Sequence, residues 1–198
     1  MNGIIDMKHA SIRLLVTLIV VLILNGCMPA PYIYHEPRAE GGELVHSVCH
    51  HLAPRDTIEF QVEGISTQVR GQNNWLSINI YIPEGKSARF VSDEIMLFED
   101  KPENARAFRI SRSSYYDGQP TGYVTIKPTD LLIGHTKPLV KYGFAGDRLF
   151  EMSVKLDKRE RDHFYVRLPA LQIGEHLHEF PTIEFTKKTG VGIMSVNC

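Results

Sequence analysis

Three groups of side chains in this sequence have the types and spacing to do chemistry. The first is imidazole. Glu175, His176, Leu177, His178 and Glu179 are consecutive. On a strand, His176 and His178 would share one face, about 7 Å apart along the backbone. Two neutral imidazoles so placed can share a zinc or copper ion. His50 and His51 offer a further ligand if their segment lies nearby, although neighbours on a strand point to opposite faces. The plainer arrangement turns Leu177 into a core and leaves both imidazoles in solvent beside a turn at Gly174. Two ligands are too few for a metal centre. His176 and His178 therefore stay candidates, and no metal or other cofactor is assigned.

The second group is nucleophilic. Ser111, Ser113 and Ser114 surround Arg112 in a polar stretch that reads as a loop or an edge. The sequence has no Gly-x-Ser-x-Gly elbow and no Ser-x-x-Lys motif. The third group is carboxylate. Asp93-Glu94 and Glu99-Asp100 are adjacent pairs, which on strands face opposite sides. Glycoside hydrolysis needs two carboxyls facing each other across about 5–10 Å, a geometry that spacing alone does not supply. No recognised catalytic constellation emerges, so the expectation is a non-catalytic protein. A periplasmic metal-binding protein and an envelope hydrolase remain as alternatives. Tyr115, Tyr116, Asp117 and Gly118 form a turn-like segment. Exposed tyrosines there could bind a glycan or a protein, but one tucked onto a sheet is the simpler arrangement.

These residues must be held by strands. Leu76, Ile78, Ile80 and Ile82 alternate with Ser77, Asn79 and Tyr81, the clearest period-two segment of the chain, which Trp75 opens. Ile58, Phe60 and Val62 follow the same rule, as do Ile65, Thr67 and Val69. So do residues 94–98, 107–110, 122–126, 149–156, 163–168 and 182–185. No twelve-residue window carries a helical stripe. Short helical turns fit only near 102–105 and 129–132. Strands every 8–12 residues or so, with turn signals between them, imply a sandwich or barrel. The expected fold is all-β: an immunoglobulin-like antiparallel β-sandwich of about 8–11 short strands.

Composition narrows the function classes. The chain has 198 residues, 43% apolar and 23% charged, with a formal net charge of −1. Disordered chains are poorer in apolar residues, and proteins that bind nucleic acid through charge are basic. Residues 155–162 mix both signs, which suits a solvated turn rather than a surface for anionic lipid or nucleic acid. No Walker loop or Gly-x-Gly-x-x-Gly motif suggests a nucleotide.

The N-terminus supplies an address. Lys8 and Arg13 precede an uncharged apolar run over 14–24, too short to span a bilayer and suited to a secretory signal. Met7 is an alternative start that would leave Asp6 out. Next comes Leu24-Asn25-Gly26-Cys27, which resembles the lipobox of bacterial lipoproteins. The resemblance covers residues 1–27, and Asn25 departs from the usual small or hydroxylated residue. It implies removal of 1–26, a diacylglyceryl thioether on Cys27 and acylation of the freed amine. Met28 stands where an Asp commonly retains Gram-negative lipoproteins at the inner membrane. The resemblance thus implies the periplasmic side of the outer membrane in a Gram-negative host. The implied partners are the membrane through the lipid, and an envelope protein or peptidoglycan.

Removing 1–26 takes away Asp6, Lys8 and Arg13 and leaves a net charge of −2. With Cys27 lipidated, Cys49 and Cys198 are an even pair in an oxidising compartment. A disulfide between them would stabilise the domain by up to about 5 kcal/mol; two separate buried thiols are the alternative. Residues 28–42 contain Pro29, Pro31 and Pro37 and end in Gly41-Gly42. Together with Cys27 they read as a tether without regular structure, residues 27–42, ahead of a single domain over 43–198.

Overall fold

The computed structural model of the protein describes residues 28–46, 55–72, 74–116, 123–134, 148–157 and 162–194. Sixteen strands lie within them. In chain order they are β1 (Met28–Arg38), β2 (Glu43–Val45), β3 (Thr57–Val62), β4 (Ile65–Gln72), β5 (Trp75–Ile82) and β6 (Ser87–Phe90). There follow β7 (Glu94–Phe98), β8 (Arg106–Arg109), β9 (Arg112–Tyr116), β10 (Tyr123–Thr125) and β11 (Leu132–Ile133). The last are β12 (Arg148–Lys155), β13 (His163–Arg167), β14 (Leu171–Ile173), β15 (His176–His178) and β16 (Ile183–Met194). One 3-10 turn, Pro102–Asn104, matches the first expected helical turn. The second is not helical: residues 128–130 form a turn and bend that lead into β11.

All pairings are antiparallel and build three sheets. One sheet runs β1-β16-β13-β7-β8, a seven-stranded sheet runs β10-β9-β12-β5-β4-β3-β2, and the third runs β11-β6-β14-β15. None closes into a barrel. The strand count exceeds the expected 8–11 or so, because several strands of two to four residues carry too little alternation to register in sequence.

Alternation decides which residues meet. On β5, Leu76, Ile78, Ile80 and Ile82 point inward and are fully buried, opposite Val69 of β4 and Phe150, Met152 and Val154 of β12. The apolar faces of all three sheets meet in one core. Phe60 of β3 lies edge-on to Phe180 at 5.5 Å, and Phe164 of β13 stacks on Phe185 of β16 at 4.9 Å. Each fully buried Ile, Leu or Phe contributes about 1.5–3 kcal/mol of transfer free energy. Gly71 permits this approach, because a Cβ there would lie 3.1 Å from the Phe185 ring.

The outer face of the seven-stranded sheet is polar. Arg70 bonds the buried Asp56 at 2.6 Å, and Thr57 donates a hydrogen bond to the same carboxylate. The Ser66 hydroxyl donates to Glu59 at 2.6 Å. Partial burial raises the Tyr81 phenol above its usual value of 10.0, and the nearby Glu151 and Glu59 add to the rise.

Residues 28–38 are a correction. The prolines suggested a tether without regular structure, yet this segment forms β1, paired with β16 along its full length. The physical reason is parity. Pro29, Pro31 and Pro37 are all at odd positions, so their missing N–H groups fall on one side of the strand. Because β1 is a sheet edge, that side needs no partner. The Pro/Gly segment therefore belongs to the folded domain as far as Arg38.

Candidate functional site

A cleft of about 550 Å³ lies along β9 and β10 and the segment 126–129 that follows them. Asp93 and Ile110 also contribute to its wall. Three main-chain bonds fix the frame. Ile126 N–H donates to the Ser113 carbonyl at 2.9 Å, Ile110 N–H to that of Asp93 at 2.8 Å, and Ser111 N–H to that of Ser153 at 2.9 Å. The Ser111 hydroxyl donates to the same Ser153 carbonyl.

The register of β9 explains the lining. Ser113 lies opposite Met152 of β12, and Tyr115 opposite Phe150, so both sit on the inward-facing parity. Tyr115 packs against Phe150, ring to ring at 5.4 Å. Ser113 occupies an inward position that an apolar residue would ordinarily fill. It is 4% exposed, and its Oγ has no hydrogen-bond partner in the described structure. Leaving a buried hydroxyl unmatched costs about 1–3 kcal/mol. Around it the cleft offers Thr125, Thr129 and Tyr123.

The charge of the wall is mixed, with cations in excess. Arg112, at the outward parity of β9, turns its guanidinium over the Trp75 ring at 5.9 Å, and Lys127 lines the cleft. Asp93 is the acid of the wall, and Arg109 Nε meets its carboxylate at 3.2 Å. Such a wall can donate several hydrogen bonds and accommodate an anion. Among the described residues the lining contains serine hydroxyls but no histidine to activate them, and one carboxylate rather than an opposed pair.

The sequence candidates fall in different places. His176 and His178 do form a strand, β15, and their rings stand 6.4 Å apart. His178 Nε2 lies 3.0 Å from Glu63 Oε1. Glu63 reaches it from the β3–β4 turn, where Glu63 and Gly64 both take left-handed backbone angles of 48° and 76°. The Lys86 ammonium donates to the Glu63 carbonyl. Among the described residues no group of three or more His, Cys, Asp or Glu could hold a metal ion. Leu177 is not in the core as the plainer arrangement had it: it is 58% exposed, because β15 is the edge of its sheet. Cys27, Cys49, His50, His51 and Cys198 lie outside the described residues.

Ser111, Ser113 and Ser114 are the candidates that the structure gathers into a site. Their segment is not a loop; Arg112–Tyr116 is a strand one place in from the sheet edge. Tyr123, Thr125 and Lys127 were missed. The available signal was a serine at the inward parity of a strand whose neighbour Tyr115 is apolar in body. Glu94, Glu99 and Asp100 are exposed and lie outside the cleft. Of the mixed charge run, Asp157 faces Arg106 at 3.7 Å and Asp162 meets Lys187 at 3.1 Å, as solvated ion pairs. Compared with family models, curated proteins and solved structures, the chain matches none.

Proposed function

We propose that this chain is a lipid-anchored protein of the cell envelope, acting as a non-catalytic interaction module on the periplasmic side of the outer membrane. In this reading the fold is an immunoglobulin-like β-sandwich, Cys27 carries the lipid, and a Cys49–Cys198 disulfide closes the domain. The β9–β10 cleft receives a hydroxylated, carboxylate-bearing segment of peptidoglycan. Anchoring concentrates the cleft at the surface where such a polymer lies, so modest intrinsic affinity suffices.

One observation carries the binding role. A buried Ser113 hydroxyl without a partner lines a cleft that also holds Arg112 and Lys127. A carboxylate-bearing, hydroxylated ligand would complete that hydroxyl and meet Lys127 with a charge-assisted bond. The apolar run over 14–24 and the lipobox-like Leu24 to Cys27 support the anchor. The meeting of one apolar face from each antiparallel sheet in a common core supports the sandwich.

The test is retention of the lipidated chain by isolated peptidoglycan sacculi, with a photocrosslinking residue placed at Tyr123 in the living cell. Saccular retention and a muropeptide adduct are expected. The double change Ser113→Ala, Lys127→Ala should weaken retention at least tenfold, and Cys27→Ser should reduce the cellular adduct. Retention unchanged by the double change would refute the cleft as the binding site.

A further inference from the structure

We infer that the outer half of the β1–β16 ribbon is a membrane contact, its apolar face seated in the headgroup region of the bilayer beside the Cys27 anchor. This rests on the anchored reading above and adds to it a fixed attitude of the domain on the membrane.

The argument begins with register. β16 pairs with β13 only over Ile183 to Thr186, yet it pairs with β1 as far as Met194. Beyond Lys187 the ribbon is therefore, among the described residues, two strands alone. One face of it can be followed outward pair by pair: Pro37 with Phe185, His35 with Lys187, Ile33 with Thr189, Pro31 with Val191. At the base this face is core. Phe185 and His35 are buried, and His35 meets the Phe164 ring edge-on at 5.2 Å. Farther out the same face leaves the core, and Ile33 is 50% and Val191 67% exposed.

Charge stops where the ribbon leaves the sheet. The six pairs from Ile33–Thr189 out to Met28–Met194 include no charged residue. They span about 20 Å at the usual rise per residue. Lys187 and Lys188 stand at the boundary, with Tyr34 opposite Lys188. Apolar residues capped by a collar of lysine and tyrosine match the layering of a bilayer interface, where lysines reach anionic headgroups and tyrosines sit at their level.

The ribbon suits no second copy by strand addition. Its open edge belongs to β1, and the three prolines there cannot offer a regular ladder of N–H groups. A two-stranded ribbon is marginal in water alone. Met28, its outermost residue, directly follows Cys27 in the chain. A lipid on Cys27 therefore brings the uncharged end, and not another face, to the membrane.

The test places one indole at a time in the lipidated chain on phosphatidylethanolamine–phosphatidylglycerol vesicles. In a Trp75→Phe background, Val191→Trp is compared with Leu177→Trp, an exposed position on the edge of a different sheet. Lipids brominated high on the acyl chain should quench the indole introduced by Val191→Trp at least threefold more than the other. Adding Ile33→Asp should remove most of that difference. Intact mass reports the lipid on Cys27 separately. Lipid present with equal quenching at the two positions overturns the ribbon contact and leaves the anchor standing. Lipid absent overturns the anchor. Vesicles in excess then decide the ribbon by the same comparison: stronger quenching from Val191→Trp retains it and equal quenching rejects it.

Discussion

The centre of the seven-stranded sheet and its β9–β10 edge are built from the same alternation, but they use the inward positions differently. At the centre, the described inward side chains of β4, β5 and β12 are apolar apart from Thr67, whose hydroxyl also lacks a partner, and Ile78 sits between Val69 and Met152. The buried charge there, Asp56, is met by both Arg70 and Thr57. At the edge, the inward position beside Met152 holds Ser113, whose hydroxyl goes unmatched next to an open cleft. The centre encloses its unmatched Thr67 hydroxyl between strands that bring Phe60 and Ile80 opposite it, away from the cleft. The edge gives up packing and hydrogen bonding at the place where a ligand can supply them, which is how binding sites commonly depart from the rules of a core.

Four experiments break or sharpen this contrast. The largest effect belongs to Ile78→Ala, which leaves a cavity between two buried neighbours. It should cost about 3–4 kcal/mol, read as a lower denaturant midpoint. Asp56→Ala comes next. It strands the Arg70 guanidinium, which keeps partial contact with solvent, and should cost about 3 kcal/mol.

The third test is alkaline pH. Burial and the neighbouring Glu151 and Glu59 raise the Tyr81 phenol above 10.0 in the folded protein. Below pH 10 it is neutral whether the chain is folded or not, and its contribution to stability is fully present. As pH climbs past 10 the unfolded chain ionises first and folding loses ground. Tyr81→Phe should therefore flatten the alkaline limb of the stability curve and leave neutral pH nearly unchanged. The smallest effect is Ser113→Ala. It should leave stability unchanged or raise it by up to about 1 kcal/mol, while weakening retention by sacculi. A loss of 2 kcal/mol or more on melting would place Ser113 with the centre and end the contrast.

The strong strands were legible because their partners are hardly needed to see them. Trp75 to Ile82 alternates over eight residues, β5, and both of its neighbours continue the pattern. β1 was not legible, because proline argues against strands in general, and only its place at a sheet edge makes three of them harmless. The short strands β6, β11 and β14 depend on partners far away in sequence. Arg89 and Gln172, bonded at 2.9 Å, are joined by nothing local. The cleft was half legible. Ser111 to Ser114 stood out as polar, but the hydroxyls become a site only when β10 brings Tyr123, Thr125 and Lys127 beside them. For His176 and His178 the spacing correctly gave a strand, while the edge position that turns Leu177 outward was set by the sheet as a whole.

The pairing of β1 with β16 also governs when this protein can fold. The ribosome delivers a chain from its N-terminus, so β1 emerges before β16 and must wait for a partner that comes about 150 residues later. β13, which joins that ribbon to the rest of its sheet, is also late. Until then β1 can pack on β3 and β4 but has no strand to pair with. Folding is thereby deferred until synthesis is nearly finished, and the waiting chain is open to proteases and chaperones. A truncation that removes β16 should yield a species cleared by proteolysis rather than a smaller folded domain.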